Sequence, residues 1–101
     1  MAKLRVQHIS LDVDDLDAAM RFYCDALGLA VAARPAALGD GGAWLDIGDG
    51  RQLHLVESAS FSAPATSQHL AFGVDDCQAT VIELRDAGLE VSDPFDIGAG
   101  I

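Results

Sequence analysis

The stretch from His8 to Leu29, HISLDVDDLDAAMRFYCDALGL, recurs from His69 as HLAFGVDDCQATVIELRDAGL, and this limits the fold more than any other feature. Sixty-one places on, His8 meets His69, Val13 meets Val74, and Asp14-Asp15 meets Asp75-Asp76. Ala18 meets Ala79 and Asp25-Ala26 meets Asp86-Ala87; a one-residue gap then sets Gly28-Leu29 on Gly88-Leu89. Agreement over so varied a stretch marks a repeated structural unit, not a shared dipeptide.

Each copy predicts a strand and then a helix. Ile9, Leu11 and Val13 alternate with Ser10 and Asp12, the period of a half-buried strand. Asp14 or Asp15 can cap a helix, and Asp17 suits its first turn. In the second copy Asp75 and Gln78 have capping-box spacing. Leu16, Met20, Tyr23 and Leu27 form a stripe at helical spacing, which the shift carries to Cys77, Val81, Leu84 and Gly88. Gly28 and Gly88 can take the positive φ that ends a helix.

Taken in order, the chain predicts a strand over 3–13, a helix over 14–27 and a strand over 29–33. A loop rich in Gly, Ala and Pro covers 34–42. Strands over 43–48 and 51–57 meet at Asp49-Gly50, a strong hairpin signal. Residues 1–57 thus read as a β-α-β-β-β module and 58–68 as a linker. Residues 69–101 read as an incomplete second module, with a strand over 69–74, a helix over 75–87 and a strand over 89–92. Two strands are missing if the second module is to match the first. The expected fold class is α+β: paired modules forming a curved, mostly antiparallel sheet around a cleft, helices outside, the second module truncated.

A chain of 101 residues, half of them hydrophobic, makes one domain with a modest core. The net charge of −10 argues against nucleic acid and anionic membrane as partners and favours a cationic ligand, although acidity more often serves solubility alone. No apolar run approaches the ~20 residues of a spanning helix, and no signal peptide opens the chain, so the cytoplasm is expected. Cys24 and Cys77 belong to no motif and read as reduced and structural.

All three histidines fall in expected strands. Ile9, Leu11, Leu53, Leu55 and Leu70 take the helix-covered face, so alternation sends His8, His54 and His69 to the other. Trp44 and Asp46 share that parity, because Leu45 and Ile47 take the helix side. One strand histidine is ordinarily a partnered core or surface residue. Three with one facing, two of them equivalent in a repeat, point to a divalent metal: Zn, Ni, Co, Mn or Fe. Glu57 leaves by the opposite face and is a poor fourth ligand. Trp44 can wall a substrate pocket or simply fill a small core. Asp46 can touch a substrate or be a solvated carboxylate.

These residues resemble the vicinal oxygen chelate superfamily, which includes glyoxalase I, extradiol dioxygenases, fosfomycin-resistance enzymes and bleomycin-binding proteins. The resemblance is carried by HISLDVDDLDAAMRFYCDALGL, whose Phe22-Tyr23 to Leu27-Gly28-Leu29 spacing looks like the family's FYxxxLGL. GAWLDIGDGRQLHLVE and HLAFGVDDCQATVIELRDAGLEV extend it over nearly the whole chain. It implies metal ligands on the first and fourth strands of each module, positions that His8, His54 and His69 match. A fourth ligand, typically a Glu on the last strand, has no counterpart here. The resemblance also implies a homodimer, with His8 and His54 of one chain facing His69 of the other. Two functions follow as expectations. One is a metal-dependent lyase, isomerase or dioxygenase acting on a small oxygen-chelating substrate. The other is a metal-free binding protein that sequesters a small cationic molecule such as a drug.

Overall fold

The computed structural model describes residues 3–62 and 67–96. The chain divides into two compact units, Met1–Ala65 and Thr66–Ile101. In the first, β1 (His8–Val13) leads into α1 (Leu16–Met20), and a π-helical turn (Arg21–Ala26) follows directly. Then come β2 (Ala30–Ala32), a short 3-10 turn (Ala36–Leu38), β3 (Gly42–Gly48) and β4 (Arg51–Glu57). The order β-α-β-β-β is the one the sequence predicts, and the class is α+β.

The four strands form one sheet in the order β1-β4-β3-β2. β1 runs parallel to β4, while β3 is antiparallel to both β4 and β2. At the β3–β4 turn Asp49 and Gly50 both have positive φ, 54° and 71°. That is the backbone a two-residue turn needs if it is to match the strand twist. A register irregularity between Asp46 and Gly48 precedes the turn.

The faces of this sheet differ sharply. Leu45, Leu53 and Leu55 are fully buried on one of them, and α1 packs there against β4. Burying each such leucine contributes roughly 1.5–3 kcal/mol. Glu57 shares their parity, and its Oε2 accepts from the Leu16 backbone N–H at 2.8 Å. Beside it, Asp15 caps the same helix by accepting from Ala18 N at 3.0 Å. Two carboxylates therefore satisfy first-turn donors and meet the positive end of the helix dipole.

Several expectations need correction. The first strand starts at His8, and residues 3–7 form no regular element. The helix passes into the π turn, where Leu27 N donates to Phe22 O at 3.0 Å, a five-residue span that apolar spacing does not announce. The loop over 34–42 contains the 3-10 turn.

The second unit consists, among its described residues, of α2 (Cys77–Asp86) and flanking chain without regular structure. Asp76, not Asp75, caps α2, accepting from Ala79 N at 3.0 Å. Asp76 and Ala79 are the repeat equivalents of Asp15 and Ala18, so the cap recurs bond for bond. Gly28 and Gly88 close the two helices with φ of 78° and 89°. Val81 is the buried residue of α2, and Arg85 ties the following chain down through Val91 O (2.6 Å) and Asp93 (2.9 Å). The strands expected over 69–74 and 89–92 do not form among the described residues. A strand exists only where a neighbour supplies the ladder, and among the described residues of this unit none pairs with 69–74 or 89–92.

Candidate functional site

The face opposite the leucines carries the rings. Ladder register sets Trp44 beside His54 and Ser10 beside His54, with His8 one pleat away beside Gln52. The side chains gather into a ladder of three aromatic rings. His54 stacks on Trp44 with centroids 4.2 Å apart and an interplanar angle of 2°. His8 stacks on the other side of His54 at 4.2 Å and 14°. Asp46 lies on the same face, in register with Gln52, and is exposed.

Two glutamines fix the imidazoles. Gln7 Oε1 stands 2.7 Å from His8 Nδ1, and Gln52 Oε1 stands 2.8 Å from His54 Nε2. An amide oxygen only accepts, so both ring nitrogens are the donors. A neutral His8 then keeps a bare Nε2 and a neutral His54 a bare Nδ1. Burial lowers the His54 pKa, and the nearby charges of His8 and Arg34 lower it further. His54 is thus held as a neutral ring inside the stack.

Stacking bears directly on metal binding. Two ligands of one ion must aim their in-plane lone pairs at one point, about 2.0–2.1 Å from each nitrogen for zinc. Rings lying nearly parallel send their lone pairs along separate planes. As stacked, His8 and His54 do not fit a shared ion. Within this unit no third His, Cys, Asp or Glu among the described residues joins them in a metal-holding group. His69 belongs to the second unit, where it is exposed and its Nδ1–H donates to Ser67 O at 2.6 Å.

The residues brought together are therefore His8, His54 and Trp44, with Asp46 on the same face. Sequence reasoning missed Gln7, Gln52 and Arg34. Gln52 was findable, since it stands two places before His54 and must share its face. Arg34 sits in an irregular loop where no periodicity indicates direction.

The family model of the Glyoxalase/Bleomycin resistance protein/Dioxygenase superfamily matches residues 5–98, and the chain belongs to that superfamily. Among solved structures it is similar to TnmS3, an antibiotic binding protein from Streptomyces sp. CB03234. Identity is 29% over 97% of this chain and 82% of that one, with a TM-score of 0.74. A glyoxalase/dioxygenase from Nostoc punctiforme is 25% identical over 89% of this chain and 74% of that one, with a TM-score of 0.75. A glyoxalase family protein from Enterococcus faecalis shares the fold at a TM-score of 0.73, with 22% identity over 95% and 82% of the two chains. No curated protein matches the chain. No helix among the described residues is long and apolar enough to cross a membrane.

Proposed function

We propose that this chain binds a small planar molecule, a drug or a metabolite, on the sheet face of its first unit. The observation that carries this reading is the ring ladder of Trp44, His54 and His8. Such a ladder offers flat π surface, and a planar ligand extends it by offset stacking, worth ~0.5–1.5 kcal/mol per pair beyond area burial. Trp44 is the outer ring on the β3 side, and its ladder neighbour on β2 is Ala32. That small side chain leaves room beside the indole. TnmS3, 29% identical, is named an antibiotic binding protein, which supports a small-molecule ligand without specifying its shape.

Trp44 is the sole tryptophan, so its indole N–H gives a single NMR signal that reports on the site. Planar heteroaromatic compounds should shift it, while saturated compounds of equal size should not. Trp44→Leu should weaken binding about 3- to 10-fold, measured by calorimetry, as expected for the loss of one stacked pair. If saturated and planar compounds bind alike, the stacking surface is not the site.

A second reading has its own support. Three histidines share one parity by sequence, and His54 is kept neutral, the form a metal requires. In this reading His8, His54 and His69 hold a divalent ion in a metal-dependent lyase, isomerase or dioxygenase, and His8 and His54 must first unstack. Calorimetric titration with zinc tests it: tight uptake lost in His54→Ala supports the metal site, and no uptake by wild type removes it. A homodimer belongs to both readings, because the second unit forms no sheet among its described residues. A monomer in sedimentation at micromolar concentration would remove that part.

A further inference from the structure

We propose that Arg34 recognises an oxyanion, a carboxylate, phosphate or phosphonate group, on the molecule bound at the ring ladder. This rests on the reading of that face as a planar-ligand surface, and it adds the ligand's charge class.

The first support is position. Gly42 precedes Trp44 by two residues in β3, so a side chain there would leave by the same face. A Cβ on Gly42 would lie 2.6 Å from the Leu55 backbone O, 2.9 Å from Arg34 Nη2 and 3.1 Å from its Cζ. The guanidinium therefore packs close against the Gly42 backbone, two residues before Trp44 in the same strand. Its charge also reaches His54, where it helps keep the imidazole neutral.

The second support is an unmet need. Arg34 Nη1 donates to Gly39 O, and Nη2 makes a long bond of 3.5 Å to Leu38 O. Both acceptors are backbone carbonyls at the end of the 3-10 turn. The Nε atom is buried without a partner. No Asp or Glu pairs with Arg34 among the described residues, although the chain carries 16 acidic residues. A half-buried cation without a counter-ion gives up hydration that neutral carbonyls replace only in part. An oxyanion meeting the exposed Nη edge restores more of it, because charge-assisted bonds from a guanidinium to paired oxygens are stronger than bonds to neutral carbonyls.

Net charge argues the other way, since −10 favours cations at a distance. At about 0.15 M salt, however, exposed charges farther than roughly 8 Å are largely screened. Within that radius the guanidinium acts against Asp46, the exposed carboxylate on the same face.

Benzoate, benzamide and benzylammonium share a ring and differ in charge, which makes them suitable probes at about 0.15 M salt. Binding is followed by the Trp44 indole N–H signal. Benzoate should bind about tenfold tighter than benzamide, the discrimination a charge-assisted pair confers, with benzylammonium weakest. Arg34→Gln should bring benzoate to parity with benzamide, and Arg34→Lys should retain part of the preference. Backbone signals outside residues 33–42 should stay in place in both variants, which separates loss of recognition from loss of fold. Three probes that shift Trp44 equally would leave the planar-ligand surface standing and overturn the role of Arg34. Retention of benzoate preference in Arg34→Gln overturns it as well. If no probe moves the signal, the planar-ligand reading fails and takes this inference with it.

Discussion

The two copies of the repeat begin from nearly the same residues and reach different ends. Asp15 and Asp76 make the same capping bond, and Gly28 and Gly88 close the two helices with the same sign of φ. Yet 8–13 is a strand and 69–74 is not. Caps and stops are satisfied within a few residues, so equal sequence gives equal structure. A strand borrows its hydrogen bonds from elsewhere, and among the described residues the β3–β4 hairpin lends them to the first copy alone.

Core truncation should break the symmetry most. Leu55 is fully buried between α1 and the sheet, so Leu55→Ala should cost about 2–5 kcal/mol in urea unfolding. Val81 is the buried residue of α2, and Val81→Ala should cost about 1.6 kcal/mol, two methyl groups at ~0.8 each. Equal costs would mean that the second unit is packed as firmly as the first, against the difference drawn above.

The caps should behave oppositely. Asp15→Ala and Asp76→Ala each remove one bond of 3.0 Å, and each should cost about 1 kcal/mol. The Asp15 change should be the milder of the two, because Glu57 still holds Leu16 N at that helix start. Adding Glu57→Gln should expose this redundancy as a coupling energy in a double-mutant cycle. Strict additivity would mean that the two carboxylates act independently.

The same contrast explains what could be read from the chain. Strand parity put His8, His54 and Trp44 on one face, because alternation is a local rule that a ladder then enforces. It could not foresee that the rings would stack, since rotamers answer to neighbours such as Gln7 and Gln52. Arg34 was invisible for a related reason. Its place is set by the turn at 36–38 and the missing side chain of Gly42, neither of which follows a period. Capping-box spacing favours Asp75, and the repeat pairs Asp14-Asp15 with Asp75-Asp76 without choosing between them; the bonds to Ala18 and Ala79 settle on Asp15 and Asp76.

The smallest effect concerns the cysteines, one in each helical region. Cys24 lies half-buried in the π turn, and Cys77 opens α2 exposed. Burial raises the Cys24 pKa, and the Asp25 carboxylate raises it further. The thiolate is the nucleophile, so Cys24 should react with iodoacetamide more slowly than Cys77 under native conditions, by mass spectrometry of both sites. Urea should abolish the lag, because unfolding removes the burial. The linkage has a definite sign. A thiol whose folded pKa is raised stays protonated longer in the folded state, so the unfolded state binds fewer protons above its own pKa. Stability from this group is complete below that value and declines as pH rises through the raised folded one. Cys24→Ala should therefore soften the loss of stability on the alkaline side and leave neutral pH nearly unchanged apart from packing. A Cys24 that is alkylated as fast as Cys77 in the folded protein would show that the π turn opens as readily as the start of α2.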